Sequence, residues 1–166
     1  MSGFPNLLEE KRPPILVLGL GNMLLGDDGL GPALLNQLAD CDPRWKGQVE
    51  FVDGGTQGLA LLGHLSGRRA LIVVDALQRG AAPGTVHRLT LPELREVSPG
   101  RASSGHESNA SELLAAAQLL DELPDRLFVV GVEPEKITTG IGLSESVEQA
   151  LPSACDQVAC LLSELC

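Results

Sequence analysis

Positive charge is scarce in this chain: its 166 residues carry 12 Lys and Arg against 22 Asp and Glu, a formal net charge of -10. A surface of that sign repels phosphate backbones and offers no basic stripe, which argues against nucleic acid as a partner and leaves proteins or cations. Long apolar runs are lacking as well. Residues Met1 to Pro14 mix charged and apolar types without the apolar stretch of a secretion signal, and no run elsewhere has the length to cross a bilayer. Neither export nor membrane insertion is expected. Cysteine is sparse: Cys41, Cys155, Cys160 and Cys166 form no C-x-x-C pair, and three of them lie in one C-terminal helical segment. That usage fits reduced thiols in a cytoplasmic protein better than a disulfide framework. Also absent are H-E-x-x-H, G-x-S-x-G and a cysteine set beside a histidine in a nucleophile motif, so the familiar hydrolase mechanisms lack their parts.

What is present suits one domain over residues 1–166, with residues 1–13 as a flexible extension; 43% of the chain is apolar, enough for a substantial core. Short β-branched apolar runs alternate with helical patterns, the signature of βαβ units around a mainly parallel sheet. The pattern predicts five strands: Ile15 to Gly19, Val49 to Asp53, Leu71 to Ala76, Thr85 to Leu91 and Arg126 to Val132. The first, third and last are nearly all apolar, as buried central strands are, whereas Thr85 to Leu91 alternates and follows Ala82-Pro83-Gly84, which predicts an antiparallel edge strand. Helices are predicted over Asp28 to Ala39, Gln57 to Leu65, Ala110 to Leu120 and Glu145 to Leu165. In the last, Val147, Ala150, Leu151, Ala154, Val158, Leu161, Leu162 and Leu165 form the apolar face. Asn109 followed by Glu112 has the spacing of a capping box. Residues Pro92 to Ser108 read as a long loop, a length that in a small domain is functional or mobile.

The chemistry concentrates after the first strand, in Gly19-Leu20-Gly21-Asn22-Met23-Leu24-Leu25-Gly26-Asp27-Asp28-Gly29-Leu30-Gly31. A dinucleotide fingerprint fails there, because Leu24 stands at the third glycine position and Asp27 and Asp28 oppose a pyrophosphate at the helix start. A degenerate nucleotide-binding domain therefore ranks last among the readings. Either aspartate could instead cap the helix and complement its dipole. Asp75 ends the apolar run Leu71-Ile72-Val73-Val74, where a carboxylate is costly unless paired, hydrogen-bonded or bound to metal, although an Asx turn would also use it. His106, in Ser103-Ser104-Gly105-His106-Glu107-Ser108, precedes a helix; alone it reads as a solvated side chain. Were the first and third strands neighbours, Asp28 and Asp75 would share one crevice that His106 could close. Two carboxylates and an imidazole suit a divalent transition metal with open positions, and the lack of thiolate argues against a structural zinc cage. His64 and His87 have ordinary surface explanations. Asp53-Gly54-Gly55-Thr56 reads as a glycine-rich turn whose backbone groups could hold an extended peptide, with a tight strand-to-helix turn as the plainer reading.

Taken in order, these elements resemble the hydrogenase maturation endopeptidases, which trim the C-terminal extension from the large subunit of nickel-iron hydrogenases. The resemblance rests on the opening motif through Gly31, on Asp53-Gly54-Gly55-Thr56-Gln57-Gly58, on the strand ending at Asp75, on His106 before a helix, and on Val130-Gly131-Val132-Glu133-Pro134 with Gly142-Leu143-Ser144. It implies a twisted sheet between two helical layers, a three-layer αβα sandwich. It also implies a cleft where Asp28, Asp75 and His106 bind metal; a part in cleavage is expected of the same three, and the glycine-rich turn is expected to meet the substrate through Gly54, Gly55 and Thr56. Two departures stand out: relatives often have Glu at position 28, and Ser104-Gly105-His106 replaces a common Ser-Pro-His. The metal is then the nickel already inserted in the precursor, a recognition element rather than a held cofactor. Water polarised by that metal with Asp28 or Asp75 as base is one route, and nickel acting only to position the scissile peptide is another. The resemblance implies the precursor large subunit as partner, and a cytoplasmic monomer is expected. A non-catalytic, metal-dependent chaperone or docking module for the same precursor is the alternative.

Overall fold

The computed structural model describes residues 12–39, 43–96 and 109–166. Five strands form one sheet: β1 (Ile15–Leu20), β2 (Val49–Gly55), β3 (Ala70–Ala76), β4 (Val86–Thr90) and β5 (Arg126–Val132), in the spatial order β2-β1-β3-β5-β4. The first four in that order run parallel, and β4 is antiparallel to β5 at the edge, as the alternation of its residues predicts. β1 and β3 are neighbours, with Ile15 opposite Ala70 and Gly19 opposite Val74. This is the point where the strand order reverses, so the crevice beyond their carboxyl ends is the natural ligand site.

The side chains of β1 alternate between two cores. Ile15 and Val17 join the cluster under α1 (Leu30–Ala39) and α5 (Glu145–Leu165) on one face, while Leu16, Leu18 and Leu20 join the cluster under α2 (Leu62–Leu65) and α4 (Asn109–Leu119) on the other. Helices on both faces of a largely parallel sheet make the three-layer arrangement. All eight apolar residues predicted for the inner face of α5 are buried. α1 can lie close to β1 because residue 31 is glycine: a Cβ there would fall 2.1 Å from the Leu20 carbonyl oxygen and 2.5 Å from its nitrogen. Among the described residues no helix is long and apolar enough to cross a membrane.

Some boundaries differ from the sequence expectation, each for a local reason. The predicted helix from Asp28 begins as a 3-10 turn, Gly26–Gly29, and becomes α-helical at Leu30. Leu91 does not extend β4. It starts a short helix, α3 (Leu91–Arg95), because Pro92 sits in its first turn and the Glu93 carboxylate accepts a hydrogen bond from the Thr90 amide at 2.7 Å. Strand β2 likewise runs on through Gly55 where a turn was expected: Gly19 pairs with Asp53 but Leu20 with Gly55, leaving Gly54 as the extra, bulged residue. The turn then follows as a 3-10 segment, Gly58–Leu61, leading into α2.

Candidate functional site

Asp75 is the penultimate residue of β3 and its side chain lies under the protein surface, 1% exposed. Its Oδ2 accepts a hydrogen bond from the Ala110 amide in the first turn of α4 at 3.2 Å. Oδ1 is buried and has no hydrogen-bond partner among the described residues. Burial, above all, and the neighbouring charge of Asp28 push this carboxyl up to about 8, against the Ala110 and Ala76 amides, which favour the ionised form. A carboxyl half satisfied and mostly protonated at neutral pH is an expensive group to keep in a core, and it leaves one oxygen without a partner among the described residues.

Asp28 sits half-buried in the 3-10 turn before α1, and its Oδ2 accepts the Asn22 amide at 2.9 Å. Asn22 shapes the loop that carries it. Its Oδ1 accepts the Leu24 amide at 2.9 Å and its carbonyl accepts the Leu25 amide at 3.1 Å. Gly21 turns the chain out of β1 at φ 126°, where a Cβ would fall 1.9 Å from the Asp28 carbonyl oxygen, so only glycine lets the loop fold back onto the aspartate.

Asp27 has a different task. It is 1% exposed, and its carboxylate accepts hydrogen bonds from the Glu135, Lys136 and Ser144 amides and from the Ser144 hydroxyl, all between 2.7 and 3.1 Å. Burial raises its pKa, but those four donors more than offset it and hold the group below the usual carboxylate range. Asp27 thus clamps the segment after β5 against the loop after β1. Of the two aspartates, it is the structural one.

The remaining predicted residues fall as follows. His106 lies outside the described residues. Among the described residues no three His, Cys, Asp or Glu side chains converge as a metal set, so Asp28 and Asp75 stand as a pair. Gly54 is buried, with the space of a Cβ filled by Leu61, Leu20 and Leu18 side chains. The Gly55 amide donates to Asp53 Oδ1 at 3.0 Å, while the carbonyls of Gly54 and Gly55 accept the Gln57 and Gly21 amides at 3.1 and 3.0 Å. Those backbone groups are spent within the chain, and Thr56 is the exposed member of the three.

Two features escaped the sequence reading. His87 is not an ordinary surface residue: its side chain is 14% exposed and its Nε2 lies 3.0 Å from Oε2 of Glu133. Glu133 is buried just past the end of β5, and its carboxylate also accepts the Arg79 and Gly80 amides, which fixes the loop after β3. The signal was the same one that singled out Asp75, a carboxylate directly after an apolar strand.

Fold and site together define an α/β protein whose chemistry gathers at the carboxyl ends of β1 and β3. A family model described as hydrogenase maturation protease matches residues 34–160. The hydrogenase 2 maturation protease of Escherichia coli K12 is 37% identical over 153 residues, 90% of this chain and 91% of that protein. The hydrogenase expression/formation protein HoxM of Azotobacter vinelandii is 35% identical over 143 residues, 86% of this chain and 69% of that one. Among solved structures, the hydrogenase maturating endopeptidase HybD of Escherichia coli aligns with a TM-score of 0.74 at 36% identity, covering 90% of this chain and 92% of that chain. HybD of Thermococcus kodakarensis gives 0.69 at 27% identity, covering 89% and 97%. The chain belongs to the hydrogenase maturation protease family. It is a peptidase by that membership, with the fold of the HybD endopeptidases.

Proposed function

We propose that this protein removes the C-terminal extension from the nickel-loaded precursor of a nickel-iron hydrogenase large subunit, and that nickel carried by the substrate is what it recognises. Asp28, Asp75 and His106 would hold that ion. The observation that carries this reading is the free Oδ1 of Asp75: a buried carboxylate oxygen without a partner among the described residues, beside a second carboxylate, is a donor prepared for a cation. The 3.2 Å bond from Ala110 to Asp75 ties the first turn of α4 to the crevice, and His106 precedes Ala110 by only four residues of chain. Two oxygens and one imidazole leave coordination positions for the precursor's own ligands. A precursor without nickel would lose the whole of this contact, so discrimination comes from differential affinity.

In the metal-free protein Asp75 keeps its proton at neutral pH; arrival of the cation displaces it and supplies the second carboxylate. Water would then attack the scissile carbonyl, with Asp28 or Asp75 as the base that takes its proton and returns one to the leaving amine. Thr56, exposed beside Gly54 and Gly55 at the end of β2, would contact the extension. The setting is the cytoplasm, with Cys155, Cys160 and Cys166 as reduced thiols and the protein acting as a monomer. The test is release of the C-terminal peptide by Asp28→Asn, Asp75→Asn and His106→Ala variants. Loss in all three supports the metal triad, and wild-type rates in the two aspartate variants overturn it.

A further inference from the structure

Three of the six large apolar side chains left in water among the described residues lie on two joined segments. Met23 and Leu24 are 54% and 59% exposed on the loop after β1, and Ile141 is 84% exposed on the segment before α5. The two segments are joined: the Gly140 amide donates to the Leu24 carbonyl at 2.9 Å, and the Gly26 amide to the Gly140 carbonyl at 2.8 Å. Leu24 and Ile141 therefore flank one short bridge, which brings their exposed apolar side chains onto adjoining segments. Their only acidic neighbour in that turn besides Asp28 is Asp27, whose carboxylate is turned inward onto Glu135, Lys136 and Ser144. Asn22, which donates to Asp28, is the residue before Met23, so the patch is continuous with the acidic crevice.

We infer that Met23, Leu24 and Ile141 form the docking surface for the precursor, receiving an apolar stretch of its polypeptide beside the nickel-bearing part. This rests on the proposed function and adds the partner surface. Charge complementarity favours that occupant. The three side chains are uncharged on a chain of net charge -10, so a matching surface is apolar at its centre and basic around it, whereas a second copy of this chain would bring its own negative charge. The Asp27 clamp holds both segments in place before binding, which lowers the ordering cost.

The test measures binding of the nickel-loaded large-subunit precursor from the same organism to the full chain, beside intact-mass analysis of the precursor. The variants are Met23→Glu/Leu24→Glu/Ile141→Glu and, as a control at the far end of α4, Leu119→Glu/Leu120→Glu, whose residues are also exposed. Folding of each is checked by circular dichroism and thermal melting. A rise in Kd of about tenfold or more in the triple variant, with the control at the wild-type value, is the expected result. Equal Kd for wild type and triple variant overturns the docking surface while wild-type cleavage, seen by mass, leaves the proposed function standing. Wild-type binding without cleavage overturns the proteolytic reading alone, and the Kd comparison still decides the surface. Failure of the wild type to bind overturns both. Sedimentation showing a wild-type dimer that the triple variant abolishes would assign the patch to a second copy and overturn the inference.

Discussion

The carboxyl of Asp75 at the end of β3 and the amide of Ala110 at the start of α4 are joined by a 3.2 Å hydrogen bond. That bond sets the mouth of the crevice, because it anchors the chain that follows His106 directly on the buried acid. It also leaves the other Asp75 oxygen without a partner among the described residues, in a carboxyl that feels the charge of Asp28.

Stability of the metal-free protein should depend on pH through Asp75. Its folded-state pKa, about 8, lies above the unfolded value, so the folded state binds more protons between those limits. The contribution is fully present below about pH 4 and is lost as pH rises through 8. Urea midpoints of the wild type should therefore decline relative to Asp75→Asn across that range, and parallel curves for the two proteins would contradict the assignment.

Asp27 works in the opposite sense. With its pKa depressed in the folded state, its stabilisation is present above the unfolded carboxylate value and is lost as acid protonates it below about pH 4. Asp27→Ala abandons four donors and should cost on the order of 3 kcal/mol in urea unfolding near pH 7. An Asp28→Ala change, which frees one amide, should cost about 1 kcal/mol by the same assay.

Gly31→Ala tests the seat of α1 on β1. The new Cβ would meet Leu20 backbone atoms at 2.1 and 2.5 Å, and backbone cannot swing aside as a side-chain tip can. A loss of about 2–4 kcal/mol in thermal or urea unfolding is expected. Alanine at Gly63, whose Cβ direction is open, should change stability by less than about 1 kcal/mol.

Much of this architecture is written in local patterns. The run from Leu71 to Asp75, the alternation after Ala82-Pro83-Gly84 and the eight inner residues of α5 each follow one rule of burial, and each appears in the structure where the rule puts it. The pairing of Asp28 with Asp75 needed one more step, the adjacency of β1 and β3, which the parallel pattern suggests. What local patterns did not carry was long-range partnership. Asp27 and Asp28 are alike as neighbours in sequence, and only the return of Ser144, 117 positions later, makes one of them structural. His87 looks exposed on an edge strand until Glu133 arrives from the end of β5. Gly54 and Gly55 suggested a turn, but pairing with β1 draws them into a bulged strand.

Catalysis should depend on the carboxylate pair more steeply than stability does. Asp28→Asn and Asp75→Asn keep side-chain shape while weakening the grip on a cation and removing a proton acceptor, and each should lower the cleavage rate by about 100-fold or more. Thr56→Ala, at an exposed position just past the end of β2, should act mainly through KM. Single-turnover cleavage followed by intact mass separates the two effects.

Recognition of substrate-borne nickel by Asp28 and Asp75 is the step on which the proposed function turns. Its most direct measurement is the intact mass of the large-subunit precursor, nickel-loaded and nickel-free, after incubation with the wild-type protein and with Asp75→Asn. Loss of one discrete C-terminal peptide, from the nickel-loaded precursor and with the wild type alone, is the expected result. Equal cleavage of both precursors, or undiminished cleavage by Asp75→Asn, would contradict it.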